Sequence, residues 1–288
     1  MALSPSSPRT RLIAGIAVPS FVYGTAWKED ATEGLTRQAL EAGFRGIDTA
    51  NQRRHYHEAG VGAAVTRAIA DGLVTRDELF LQTKFTYVGG QDHRLPYDRR
   101  ADEAAQVRQS LASSLEHLGV ESIDSYVLHG PSQRVGLGNA DHAVWRAMEA
   151  LHAAGRTRFL GVSNVGLDQL EALCRFAATP PAFVQNRCFA RVGWDREVRA
   201  FCRERGIVYQ GFSLLTANLN ELRTRAFAEL VRRVGATPAQ VVFAFALQVG
   251  MQPLTGTTDP AHMREDLGAY DVTLSDEDVR RLENIALE

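Results

Sequence analysis

Leu79-Phe-Leu-Gln-Thr-Lys84 and Asp124-Ser-Tyr-Val-Leu-His129 are two short apolar runs, each too brief for a helix. Between them Val107, Leu111, Ser114, Leu115 and Leu118 recur at helical spacing, with Gly119 placed as a C-cap. Residues 79–129 therefore read as strand, helix, strand. Two strands joined through a helix are parallel neighbours, because a parallel pair needs a crossover connection.

The same alternation continues in both directions. Apolar runs at 20–25 and 44–48 precede this unit, and runs at 158–163, 183–185, 207–212 and 253–255 follow it. Amphipathic stretches lie between them, such as Val61, Val65, Ala68 and Ile69, or Val144, Met148 and Leu151. Thr237-Pro-Ala-Gln240 has the residues of a helix start: an N-cap hydroxyl, Pro at the first helical position and Gln at the third. Ser275 opens a last helix. Eight strands at even intervals predict an α/β fold, a single-domain (β/α)8 TIM barrel with a parallel eight-stranded sheet over residues 13–288. The alternative is an open doubly wound sheet. Its Gly-rich phosphate turn after the first strand is missing, and Gly136-Leu-Gly138 reads as a loop. Residues 1–12, rich in Ser and Pro, read as a flexible leader.

Composition narrows the function class. Among 288 residues, 45% are hydrophobic and 23% charged, the balance of an ordinary globular protein. Lys and Arg number 32 against 34 Asp and Glu, a net charge of −2, which gives no electrostatic footprint for nucleic acid or an anionic membrane. No apolar run approaches the roughly 18 residues of a membrane span. Cys174, Cys188 and Cys202 are an odd, widely spaced set, which predicts buried thiols in a reducing cytoplasm and neither a disulfide framework nor a metal site. Nothing in the sequence demands more than a monomer or a weak homodimer.

In a barrel of this kind the reactive groups sit at the C-terminal ends of the strands. Successive apolar runs end in Asp48, Lys84 and His129, so neighbouring strands carry a carboxylate, an ammonium and an imidazole to one mouth. Later runs end in Ser163-Asn164, Gln185, Phe212-Ser213 and Thr255-Gly-Thr-Thr258. Each residue alone has a plain structural reading: a solvated lysine, a capping aspartate, a satisfied histidine. Their convergence favours chemistry. Tyr56 follows Asp48 in the next loop, and a nearby Lys–Asp pair is expected to lower its pKa.

Gly46-Ile-Asp-Thr-Ala50 with Tyr56-His-Glu-Ala-Gly-Val-Gly62 resembles the first signature of the aldo-keto reductases, and the stretch ending Tyr126-Val-Leu-His-Gly-Pro131 is similar to their second. Leu81-Gln-Thr-Lys84, Gly161-Val-Ser-Asn164 and Leu254-Thr-Gly-Thr257 with Arg264-Glu265 look like the remaining blocks, in the same order. The resemblance implies a catalytic tetrad of Asp48, Tyr56, Lys84 and His129, with Tyr56 as general acid in the reduction of aldehydes and ketones by a nicotinamide cofactor. It places Thr25, Asp48, Ser163, Asn164 and Gln185 near the nicotinamide end, and Phe212, Ser213 and Leu215 along its length. Thr257, Thr258, His262, Arg264 and Glu265 fall at the adenosine end. Trp27 would wall the substrate pocket beside Tyr56 and His129. NADP(H) is the expected cofactor, with NAD(H) the alternative, and a small carbonyl compound the expected partner. Two rivals share the barrel: a Schiff-base aldolase using Lys84, and a cofactor-binding sensor or subunit without catalysis.

The sequence departs from the family pattern in four places. Asp48 and Tyr56 are eight residues apart, a longer spacing than the common one, and the intervening loop carries Arg53 and Arg54. A subgroup has a similar loop ending His-Tyr, so Tyr56 keeps the acid's place, with Tyr87 in reserve. Gly256, His262 and Asp266 stand where many members have lysine, arginine and asparagine, which thins the basic grip on a 2′-phosphate; Arg264 or Arg191 could compensate. Phe212 replaces a stacking tyrosine. The sequence ends soon after its last helix, from which an open substrate pocket is expected.

Overall fold

The alternation read around residues 79–129 extends over the whole barrel in the computed structural model, which describes residues 8–287. A hairpin of β1 (Thr10–Ile13) and β2 (Ile16–Pro19) comes first. Then follow β3 (Val22–Gly24), β4 (Gly46–Asp48), β5 (Phe80–Phe85), β6 (Ile123–Leu128), β7 (Thr157–Ser163), β8 (Phe183–Arg187), β9 (Val208–Phe212) and β10 (Gln252–Thr255). These eight close into a barrel in sequence order, with β10 beside β3. The helices are α1 (Thr32–Ala42), α2 (Glu58–Ala70), α3 (Glu103–Leu118), α4 (Asn139–Ala153), α5 (Leu167–Phe176) and α6 (Arg196–Glu204). They continue with α7 (Arg225–Val234), α8 (Pro238–Gln248), α9 (Pro260–Leu267) and α10 (Asp276–Glu283). Among the described residues no single helix is long and apolar enough to cross a membrane.

The expected leader needs a correction at its inner edge. Its first seven residues lie outside the described part, but Thr10 to Ile13 are paired in the hairpin, so residues 10–12 belong to a strand.

Two compact units make up the chain, residues 23–185 and residues up to 22 together with those from 186 onward. In the first, Phe80, Phe159 and Phe183 meet ring to ring at 5.4–5.7 Å. Gly62 lets α2 lie directly on α3: a Cβ there would overlap the carbonyl oxygen of His117 and come within 2.8 Å of Leu118 Cα. In the second, Phe21 packs on Phe243 at 4.8 Å and Trp194 on Phe245 at 5.3 Å. The helix start at Thr237 forms as read: Thr237 accepts from the Gln240 backbone N–H, and the Gln240 side chain accepts from the Thr237 N–H.

Register then sets the site. Asp48 lies opposite Gln82 across β4 and β5, and Ser163 opposite Gln185 across β7 and β8.

Candidate active site

Side chains two apart on a strand point the same way. On β5 this puts Gln82 and Lys84 on one side, facing the end of β4. Lys84 Nζ donates to Asp48 Oδ2 at 2.6 Å and to the Thr49 carbonyl at 2.8 Å, and its side chain has no exposed surface. Asp48 Oδ1 accepts from Gln82 Nε2 at 2.7 Å and from Gln185 Nε2 at 3.0 Å. The Asp48 carboxylate thus meets donors on both oxygens, as a buried charge requires. Burial pulls the Lys84 ammonium below its ordinary range, and Asp48 opposes that pull.

Tyr56 comes to this pair from the loop between β4 and α2. Lys84 Nζ lies 5.0 Å from the centroid of its ring, and the His129 ring meets it edge-on at 6.0 Å. The four residues are therefore together. The expected lowering of the Tyr56 pKa is corrected by the structure: burial pushes the hydroxyl well above the phenolic range, and the Asp48 carboxylate adds to the rise. A neighbouring ammonium stabilises phenolate only to the extent that it outweighs the cost of removing that charge from water. His129 moves the other way. Burial first, then the charges of Lys84 and His55, pull its imidazole down to about 3, so it is neutral near pH 7. Its Nδ1 is 2.7 Å from Thr86 Oγ1. The reserve tyrosine, Tyr87, is committed elsewhere and donates to Asp141 Oδ1 at 2.8 Å.

The remaining expected residues of this unit surround the four. Thr25 is buried and donates its hydroxyl to the Asp48 carbonyl at 2.9 Å. Ser163 donates to the Gln185 carbonyl at 2.6 Å. Asn164 is exposed, and its Nδ2 reaches the His129 carbonyl at 2.8 Å and Ser163 Oγ at 3.1 Å. A carboxamide oxygen is an acceptor of the kind that a ligand amide would meet. Trp27 is 70% exposed and tilts over the His55 ring with centroids 3.9 Å apart, so it is not packed beneath a loop.

The other unit carries the residues expected at the far end of a cofactor. Phe212 closes β9 with a half-buried ring, and Ser213 follows it. Leu215 is half-buried two residues on. Thr257 and Thr258 lie in the turn before α9, where Thr257 Oγ1 accepts from the Asp259 N–H at 3.2 Å. His262 and Arg264 are exposed on α9, and Glu265 is half-buried there. Asp266 is buried and accepts from Thr255 Oγ1 at 2.7 Å, and burial raises its carboxyl to about 6. Trp27, Asn164 and Ser213 have φ of 62°, 52° and 57°, left-handed backbone that costs of order 1–3 kcal/mol in residues with a side chain. Strain of this kind collects at functional sites.

Sequence reading missed Gln82 and Thr86. Both share Lys84's side of the strand line by the period of two, at residues 82, 84 and 86, and that period was the signal available for them.

An aldo/keto reductase family model matches residues 21–287. Aldehyde reductase YPR1 of Saccharomyces cerevisiae is 29% identical over 312 residues, covering 99% of this chain and 92% of that protein. Deoxymugineic acid synthase 1-A of Triticum aestivum is 31% identical, covering 93% and 88%. The crystal structure of an aldo-keto reductase (AKR2E5) complexed with NADPH superposes with a TM-score of 0.83 at 25% identity, covering 98% of this chain and 88% of that one. A model match across nearly the whole chain, over a barrel that brings Asp48, Tyr56, Lys84 and His129 together, places this protein in the aldo/keto reductase family.

Proposed function

We propose that this protein reduces aldehydes and ketones to alcohols with a nicotinamide cofactor and that Tyr56 is its general acid. The observation that carries the reading is the fully buried Lys84 ammonium, bound to Asp48 and set 5.0 Å from the Tyr56 ring. A bound reduced nicotinamide supplies the hydride to the carbonyl carbon. Tyr56 gives its hydroxyl proton to the carbonyl oxygen, which becomes the alcohol oxygen, and is left as phenolate. Lys84 stabilises that phenolate, and Asp48 holds Lys84 in place. The raised Tyr56 pKa keeps the acid protonated throughout the neutral range, which suits reduction. Running the reaction backwards needs phenolate as the base, so alcohol oxidation is favoured only at high pH.

His129 orients the substrate. Its imidazole is neutral, and a Thr86 hydroxyl donating to Nδ1 selects the tautomer with a proton on Nε2, which donates to the substrate oxygen. Ser163, Asn164 and Gln185 would hold the nicotinamide carboxamide, and Thr25 and Asp48 would serve its ribose. In the other unit we assign Phe212 to stacking, Ser213 and Leu215 to the pyrophosphate, and Thr257, Thr258, His262, Arg264 and Glu265 to the adenosine end. NADP(H) is the cofactor we favour, supported by the NADPH-bound relative and by the exposed His262 and Arg264. The 70% exposure of Trp27 supports an open substrate side and small carbonyl substrates. Lys84 is a poor Schiff-base nucleophile in this setting, since its ammonium is held by Asp48 and the Thr49 carbonyl without exposed surface.

The deciding experiment follows oxidation of NADPH and of NADH over a panel of aldehydes and ketones, with Tyr56→Phe alongside. The expected result is turnover by the parent, faster with NADPH, and loss of it in the variant with cofactor binding nearly intact. Retained reduction in Tyr56→Phe rejects the acid. Cofactor binding with no turnover across the panel favours the non-catalytic reading.

A further inference from the structure

A pocket of about 360 Å³ lies beside the loop that carries Tyr56, walled by residues 50–53 and 56–59, residues 94–96 and the α3 residues Ser113 and His117. That volume is within the range of small-molecule sites. Its wall includes Asn51, Gln52 and Arg53, from the very loop that lengthens the spacing between Asp48 and Tyr56. The activity proposed above gives Asn51, Gln52 and Arg53 no role.

The charges in the pocket are unevenly matched. Glu58 is buried with both oxygens engaged: Oε1 accepts from Thr83 Oγ1, and Oε2 lies 3.1 Å from His117 Nδ1. The bond to Glu58 raises the His117 pKa, so the imidazole and the carboxylate are matched to each other. Arg94 is bound to Asp92 and donates to the Arg53 carbonyl at 3.1 Å. Arg53 differs from these cations. Its side chain donates to the Tyr56 carbonyl at 3.3 Å, and it forms no ion pair among the described residues. Leu95, Pro96, Ala50 and Ala59 supply apolar wall around it. One uncompensated guanidinium over apolar walls suits an anion with an apolar body, and a planar fork of N–H donors suits a carboxylate best.

We infer that this pocket binds a small organic carboxylate, with Arg53 as its anchor. Of the tetrad only Tyr56 reaches this wall, while Asp48, Lys84 and His129 do not line it, and the same guanidinium donates to the Tyr56 carbonyl. Binding can be read whether or not Tyr56 is the acid.

The test is an NMR titration of the whole protein with benzoate, following the imidazole resonances of His117 and His129, with benzamide as the uncharged isostere. His117 is expected to shift to saturation with benzoate and at least tenfold more weakly with benzamide. Arg53→Gln should lose the benzoate response at least tenfold, and Arg53→Lys should keep part of it. A His117 response that is absent, that is unchanged in Arg53→Gln, or that is as strong with benzamide overturns the inference. So does a response confined to His129, which would mean that benzoate enters the tetrad site instead. A folded Arg53→Lys keeps the result readable if Arg53→Gln does not fold.

Discussion

Lys84 and Asp48 meet at 2.6 Å in a place where neither side chain is more than 4% exposed. Each charge is tolerable there because of the other. Asp48→Asn leaves the ammonium buried without its counter-charge, which costs about 3–5 kcal/mol. Urea unfolding should show that loss, and the double variant with Lys84→Met should lose less than the two single variants summed. Full additivity would mean that the pair is not coupled.

His129 predicts a pH dependence of stability. Its folded-state pKa of about 3 lies below the roughly 6.5 of an unfolded histidine. Between those values the unfolded chain binds a proton that the folded chain refuses. Stability present above about pH 6.5 is therefore lost as pH falls toward 3, at up to about 1.4 kcal/mol per pH unit. Unfolding curves across that window should be steeper with pH for the parent than for His129→Gln. Parallel profiles would show that the imidazole is not held neutral.

Gly62→Ala separates helix propensity from packing. Alanine favours a helix by up to about 1 kcal/mol over glycine. At Gly62 the new Cβ would meet the backbone of α3, whereas at Gly34 in α1 nothing lies within 4 Å. Gly34→Ala should hold or raise the Tm. Gly62→Ala should lower it, by the roughly 1–3 kcal/mol of an overpacked contact. Equal Tm changes in the two variants would refute the close approach.

Phe212 tests the assigned cofactor groups of the second unit. Phe212→Ala should weaken nicotinamide cofactor binding by about 1 kcal/mol or more, roughly fivefold in Kd, and Phe212→Tyr should leave it near the parent value. Fluorescence titration with the reduced cofactor measures both. An unchanged Kd in Phe212→Ala removes this residue from the site.

The barrel strands were legible because each is an apolar run between turn residues, and Asp48, Lys84 and His129 were legible because they end such runs. The β1–β2 hairpin was not. Its turn has positive φ at both Ala14 and Gly15, 48° and 80°, and an alanine there carries none of the Asn-Gly signal that marks such turns. Gln82 was hidden for another reason. A polar residue inside an apolar run reads as an interruption until its opposite number, Asp48, is known from the register. The Tyr56 pKa had the wrong sign because spacing can place a lysine near a phenol but does not weigh that charge against burial.

The hairpin has a consequence for the order in which the chain can fold. Arg11 donates to the carbonyls of Gly250 and Met251, at 3.1 and 3.0 Å, and Tyr270 reaches the Arg9 carbonyl at 3.5 Å. Contacts so distant in sequence close the largest loops and form late. During synthesis, Arg11 leaves the ribosome 239 residues ahead of Gly250, so it waits for the length of the barrel before its hydrogen-bond partner exists. A nascent chain stopped before residue 250 should therefore leave Arg11 accessible to trypsin, and the finished protein should shield it.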